Sequence, residues 1–171
     1  WQCDSDRCDM QAICGFRPAV NGYELAGIEN GKSSNIDGIP FKSIKEDVLK
    51  NFRKGGLLIM NWTAPNYNGN EDILEEYAKK VANFLGSLQD DYGIKAPVVL
   101  NLFPIDGKSW YCQLSKDDYI DLYKKMQDLL DDEDVSNVIY GYSEAYQPGK
   151  NLMDRYPDHN IDVINVTYLQ S

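Results

Sequence analysis

Near-continuous apolar runs recur along this chain at regular intervals, and the segments between them carry apolar residues every three or four positions. Few features constrain a fold more. A short run that is apolar at every position fits a strand buried on both faces, and a 3.6-residue stripe fits an amphipathic helix. Residues 19–26, 55–62, 96–103, 137–142 and 161–168 read as strands. Between them, Ser43 with Glu46 reads as a capping box ahead of Ile44, Val48, Leu49 and Phe52. Asn70 reads as the N-cap of a helix whose stripe runs Ile73, Leu74, Tyr77, Val81, Phe84, Leu85 and Leu88. Ser115 with Asp118 caps a third, with Tyr119, Leu122, Tyr123, Met126, Leu129 and Leu130 on one face. A shorter helical segment is expected over 151–155.

Strands alternating with helices imply a parallel sheet with right-handed crossovers. Two architectures satisfy that rule: a doubly wound open sheet and a (β/α)8 TIM-type barrel. A doubly wound nucleotide binder needs a glycine-rich phosphate loop after an early strand. None is present, and Gly55-Gly56 precedes its strand, where it ends a helix. The expected class is therefore α/β of the parallel (β/α)8 type. A complete barrel takes about 250 residues, so the 171 residues read as a partial barrel of about five units in a single domain, 1–171. Such an arc leaves two sheet edges unpaired, which proteins normally avoid. A companion chain or a dimer completing the barrel is expected.

The 17 Lys and Arg against 27 Asp and Glu give a formal charge of −10. That balance repels phosphate backbones and argues against nucleic acid. No apolar run reaches membrane-spanning length. The run Asp131-Asp132-Glu133-Asp134 reads as a solvated helix end. Of the four cysteines, Cys3, Cys8 and Cys14 crowd one end and Cys112 stands apart, and sequence cannot choose among their pairings. Neither this spacing nor the acidic stretch from Cys3 to Asp9 matches a zinc or calcium pattern, so no metal and no cofactor is expected. The expected location is extracellular, periplasmic or at the cell surface.

Function in such a barrel gathers at the C-terminal strand ends. Those ends carry Tyr23 and Glu24; Asn61, Trp62, Thr63 and Asn66; Asp106, Trp110 and Tyr111; Tyr142, Glu144 and Tyr146; and Asn165 and Tyr168. Aromatic rings that can stack on sugar faces, mixed with amides and carboxylates that can pair with hydroxyls, suit a carbohydrate. Asn61-Trp62-Thr63 and Asn165-Val166-Thr167 are formal glycosylation sequons, read as chance because they face the presumed cleft.

Four segments in order resemble glycoside hydrolase family 26, the β-mannanase family. Pro18-Ala19-Val20-Asn21-Gly22-Tyr23-Glu24-Leu25 resembles P-A-V-x-G-[WY]-[DE]-L on the second barrel strand. Gly55-Gly56-Leu57 leading to Trp62-Thr63-Ala64-Pro65-Asn66 is similar to the third-strand G-G-[IL] and W-H-x-P-N. Asn101 to Gln113 resembles the fourth-strand R-P-F-H-E-M-N-G-x-W-F-W-W. Tyr156 to Tyr168 resembles the approach to the sixth strand. The resemblance spans nearly the whole chain and covers family strands 2 to 6. It implies a β-mannan-type polysaccharide or oligosaccharide as partner, with Tyr23, Glu24, Trp62, Asn66, Trp110, Tyr111, Tyr142 and Tyr168 as substrate-binding residues.

The departures fall on the chemistry. Retaining glycosidases need two carboxyl groups about 5–5.5 Å apart. The resemblance places the acid/base at Ile105, which can neither give nor take a proton. Pro104 and Asn101 stand where the family has His and Arg, and Thr63 where it has His. The family nucleophile lies on the seventh strand, past the segments matched here. Glu144 and Asp106 are the candidate catalytic substitutes. A one-residue slip turns a strand side chain to the other face, so Asp106 would need a bulge to serve. The expectation is a polysaccharide-recognising protein with impaired catalysis. An active endo-1,4-β-mannosidase of which this chain is a fragment, and an interaction module without a ligand, are the alternatives.

Overall fold

The computed structural model describes residues 18–168, together with 12, 13, 15 and 16. Five strands alternate with three helices: β1 (Val20–Glu24), α1 (Phe41–Phe52), β2 (Leu57–Trp62), α2 (Glu71–Gly86), β3 (Val98–Leu102), α3 (Lys116–Asp132), β4 (Val138–Ala145) and β5 (Val163–Thr167). Short 3-10 turns at Ile28–Asn30 and Trp110–Gln113 follow β1 and β3. All neighbouring strands are parallel, and the sheet order is the chain order, β1-β2-β3-β4-β5. A doubly wound sheet reverses direction at a switch point. An unreversed order with right-handed crossovers keeps every helix on one face and curls the sheet into an arc of barrel.

The two faces of the sheet differ in chemistry. On the helix side, Leu58, Met60, Trp62, Leu100, Leu102 and Tyr142 join Val48, Leu74, Val81, Leu85, Tyr123 and Met126 in one buried core. Each large apolar side chain fully buried there stabilises by about 1.5–3 kcal/mol. This burial, more than intrinsic propensity, holds helices of 12 to 17 residues. The concave face carries Glu24, Asn61, Asn101, Gly141 and Val163 in one register row, because these residues are successive Cα partners across the five strands.

Two caps stand as expected. The Asn70 side chain accepts from the Asp72 amide at 3.1 Å, and Ser115 Oγ accepts from the Asp118 amide at 3.1 Å. The Ser43–Glu46 box does not form. The helix starts three residues earlier, after Pro40, whose extended backbone and fixed φ end the preceding turn. The segment over 151–155 forms turns instead of a helix, since Met153 sits at φ 70, a left-handed conformation that interrupts α-helical bonding. Gly55 does end α1, at φ 73, as a left-handed residue after a helix should. Cys3, Cys8, Cys14 and the acidic stretch beside them lie outside the described residues. Cys112 is a free thiol, and the described residues contain no cluster suited to a metal. None of the described helices is long and apolar enough to cross a membrane.

Candidate functional site at the C-terminal rim

A bulge reshapes the rim at the end of β3. Asn101 pairs with Gly141, and Ile105 forms the next bridge with Glu144. Four steps on one strand thus face three on the other, so one residue is extra. The break is at Phe103, whose φ of 49 is rare for a bulky side chain. Phe103 is held there from several sides. Its amide donates to the Trp62 carbonyl at 3.3 Å and its carbonyl accepts from the Tyr119 hydroxyl at 2.9 Å. Its ring packs 5.4 Å from both Trp62 and Tyr111.

The bulge changes which way the following residues face. Ile105 shares its side with Glu144, and Glu144 with Tyr142, on the helix face of the sheet. Glu144 Oε2 accepts from the Tyr142 hydroxyl at 2.7 Å and from the Met153 amide at 2.9 Å. The carboxylate expected to reach inward is therefore tied down on the outer side. Asp106 follows the bulge, yet both its oxygens are spent within its own loop. Oδ1 accepts from the amides of Lys108 (2.7 Å) and Ser109 (2.8 Å), and Oδ2 from the Ser109 hydroxyl (2.8 Å). Burial opposes ionisation of Asp106, but these donors outweigh it and hold its carboxyl below the usual range.

Glu24 is the carboxylate on the concave face. Oε1 accepts from the amides of Ala26 (2.8 Å) and Thr63 (3.1 Å), and Oε2 from the Thr63 hydroxyl (2.9 Å). Burial raises its pKa above 4.5 in spite of these three donors. Beside it in register runs a row of amides. Asn165 Nδ2 donates to Asn101 Oδ1, and Asn101 Nδ2 donates to Asn61 Oδ1, each at 2.8 Å. The row crosses β4 at Gly141, where a methyl group would run into Asn101 Oδ1 and Val99 Cγ1. Only glycine lets the carboxamide lie over that strand. The two formal sequon asparagines are thus hydrogen-bonded on the concave face, each half-buried.

The aromatic residues divide by burial. Trp62, Tyr111 and Tyr142 are each 0% exposed and present no face to a ligand. Trp62 donates from its indole to the buried Glu29 carboxylate at 3.2 Å, and the Tyr111 hydroxyl donates to the Pro104 carbonyl at 3.1 Å. Tyr23 turns to the helix side, where its hydroxyl donates to Asp47 Oδ2 at 2.9 Å and accepts from Asn51 at 2.9 Å. Asn66 is exposed and closes a turn by accepting from the Asn68 amide. Trp110 is half-buried, its indole donating to the Ala64 carbonyl at 2.9 Å and its ring 5.8 Å from Tyr67. Tyr168 is 67% exposed and pairs with Tyr146, 39% exposed, at 5.4 Å. Tyr67 and Tyr146 were not among the expected binding residues. Their signal is their place in the loop just after a strand end, next to residues already singled out.

A third feature is a cleft of about 480 Å³ at the rim. It opens between the loop after β3 and the β4–β5 connection, with Glu144 and Ile105 in its wall.

A sequentially ordered arc of parallel strands with its loops at a polar, aromatic C-terminal rim is part of a (β/α)8 barrel, and its fold is like that of glycoside hydrolase family 26 proteins. The solved structures most similar in shape include a family 26 β-mannanase from Bacteroides ovatus, with a TM-score of 0.89 at 26% identity, over 99% of this chain and 58% of that one. A family 26 protein from a Muricauda species matches with a TM-score of 0.78 at 19% identity, over 94% of this chain and 53% of that one. A double mutant of an endo-β-1,4-mannanase from Cellulomonas fimi matches at 0.77 and 19%, over 94% and 43%. The latter two speak for the fold alone. The chain spans about half the length of these structures. No family model and no curated protein matches it.

Proposed function

We propose that this chain recognises a β-mannan-type polysaccharide or oligosaccharide at its C-terminal rim and is impaired in hydrolysis. One observation carries the reading: the carboxylates nearest the acid/base place are already engaged, Asp106 within its loop and Glu144 by Tyr142 and Met153, while Ile105 itself has no proton to give. Recognition needs no matched carboxyl pair. Stacking surfaces at Trp110 and at Tyr146 with Tyr168 support it, as do the concave groups Glu24, Thr63, Asn61 and Asn165. A polymer of this kind is met outside the membrane, so an extracellular, periplasmic or cell-surface location follows from the same reading.

A second reading is favoured by the 58% coverage of the Bacteroides ovatus structure. Further strands, from the same polypeptide, a companion or a second copy, would close the barrel and supply a second carboxylate. The concave apolar residues Val20, Leu57 and Ile139 and the outer residues Ile164 and Val166 of β5 are exposed, which supports such a closing partner. The 1–171 segment then acts as one domain with whatever completes it. A well-folded 19.5 kDa monomer in sedimentation would count against a dimer.

Isothermal calorimetry with β-mannan oligosaccharides, followed by a reducing-end assay on the same sample, separates the readings. Saturable binding without new reducing ends supports recognition. New reducing ends that disappear in Glu144→Gln support the enzyme. Neither binding nor cleavage overturns the glycan reading for this chain.

A further inference from the structure

We propose that Asn68 is a site of spontaneous modification in the folded protein, losing its side-chain nitrogen as ammonia to become a mixture of aspartate and isoaspartate. The inference stands apart from the glycan reading. The nucleophile in this reaction is the main-chain amide of the next residue, which closes a five-membered ring on the side-chain carbonyl. Glycine leaves that nitrogen least hindered, since it carries no Cβ and turns freely. The chain has three Asn-Gly pairs: Asn21-Gly22, Asn30-Gly31 and Asn68-Gly69. The fold treats them differently.

Asn21 is buried within β1, paired with Leu58 across the ladder, and its carboxamide donates to the Pro18 carbonyl at 3.4 Å. Asn30 is exposed, yet both of its reacting groups are occupied. Its Nδ2 donates to Glu29 Oε1 at 2.8 Å, and the Gly31 amide donates to the Ile28 carbonyl at 2.9 Å. An amide engaged as a donor must break that bond before it can attack. Asn68 and Gly69 are both exposed, and neither the Asn68 carboxamide nor the Gly69 amide has a hydrogen-bond partner among the described residues. A methyl built on Gly69 would meet nothing within 4 Å, so the ring has room to close. The main chain must first rotate out of its left-handed turn, with φ 54 at Asn68 and 72 at Gly69. One bond closes that turn, from the Asn70 amide to the Tyr67 carbonyl at 3.0 Å. A solvent-exposed turn held by a single bond opens locally far more often than a strand does.

The step consumes one water and releases one ammonia. The Gly69 nitrogen bonds to Asn68 Cγ, the Cγ–Nδ2 bond breaks, and ammonia leaves with the proton that the Gly69 amide gave up. Water then opens the ring. Opening at Cγ gives aspartate in the original chain. Opening at the main-chain carbonyl gives isoaspartate, with the chain now running through Cβ and Cγ. Aspartate is accommodated, because its charge lies ahead of α2, where a helix N-terminus favours a negative group. Isoaspartate adds a methylene to the main chain of a turn that spans Tyr67 to Asn70. Those two residues anchor different structures: the Tyr67 ring lies 5.8 Å from Trp110, and Asn70 caps α2. With Asn70 fixed by the helix, the added length displaces Tyr67 from Trp110.

The test holds the purified chain in mildly alkaline buffer and follows it by peptide mapping, with fragmentation that separates aspartate from isoaspartate. In the folded protein Asn68 should convert about tenfold or more faster than Asn21 and Asn30. In urea the three pairs should converge to within about threefold, since the fold no longer separates them. This comparison needs no variant. Asn68→Gln should remove the fast product and leave the other two sites as they were. Equal rates at Asn30 and Asn68 in the folded state, or no fast product at residue 68, would overturn the inference. A gap that persists in urea would place its cause in the neighbouring sequence instead of the fold, and overturns it too. The Trp110 indole signal in NMR should move in the isoaspartate fraction and stay in place in Asn68→Asp. An equal movement in Asn68→Asp would sink the claim that the lengthened turn displaces Tyr67.

Discussion

Ile105 lies beside Glu144, one residue out of step with the ladder that pairs Asn101 with Gly141. Its amide donates to the Ser143 carbonyl at 2.8 Å, and its carbonyl accepts from the Ala145 amide at 2.7 Å. The strand is thus resumed after the bulge with its faces exchanged.

Two opposing energies meet at that bulge. A non-glycine residue at φ 49 costs on the order of 1–3 kcal/mol. Truncating a buried Phe costs about 3–5 kcal/mol. The ring wins, so Phe103→Gly should destabilise the protein by about 2 kcal/mol net although it relieves the backbone. Urea unfolding measures this, and a more stable variant would show that the strain dominates.

A second expectation concerns Trp62 and Glu29. Glu29 is 2% exposed and its carboxylate is satisfied by the Gly27 amide, Asn30 and the Trp62 indole. Trp62→Phe keeps a ring but removes one donor from a buried charge. The loss should be about 1.5–3 kcal/mol of stability. Glycan affinity per folded molecule should hold, because Trp62 is enclosed. A fall in affinity without a fall in melting temperature would instead put Trp62 in the binding surface.

Glu24 gives a pH signature. Its pKa is raised in the fold, so the unfolded chain releases this proton first as pH climbs through about 4.5. The favourable contribution of the protonated form is present below that value and is lost above it. Glu24→Gln has no such proton. Its stability relative to wild type should improve as pH rises from acid to neutral, read from unfolding curves at both ends. A difference independent of pH would mean that Glu24 ionises as freely in the fold as in the unfolded chain.

Tyr168→Ala and Tyr146→Ala remove exposed rings that carry little of the core. Each should leave stability within about 0.5 kcal/mol. On the recognition reading, each should weaken oligosaccharide binding severalfold in calorimetry. Unchanged binding in both would move the stacking surface to Trp110 and Tyr67.

Much of the fold was legible because it is written in periods. The apolar runs marked β2, β3 and β4, and the stripes from Ile73 and from Tyr119 marked α2 and α3. The motif order marked the barrel type. The site was harder to read, and Phe103 is the reason. Counting alternate residues from Asn101 puts Ile105 on the concave face, and nothing in Phe103-Pro104 announces an inserted residue. Trp62, Tyr111 and Tyr142 are hard to read for a different reason. An aromatic at a strand end can cover the core or greet a ligand, and only the packing around Glu29, Phe103 and Tyr156 decides.

The amide row has a head and a tail. Every bond in it is handed from β5 toward β2, so Asn61 contributes only its oxygen and Asn165 only its nitrogen. The two residues look alike in the sequence and age differently. Deamidation of Asn61 to Asp preserves the oxygen that Asn101 needs. At Asn165 the same reaction deletes the donor and sets a carboxylate against the Asn101 oxygen. One lesion is silent within the row and the other unzips it, which gives this sheet a chemically vulnerable end at β5.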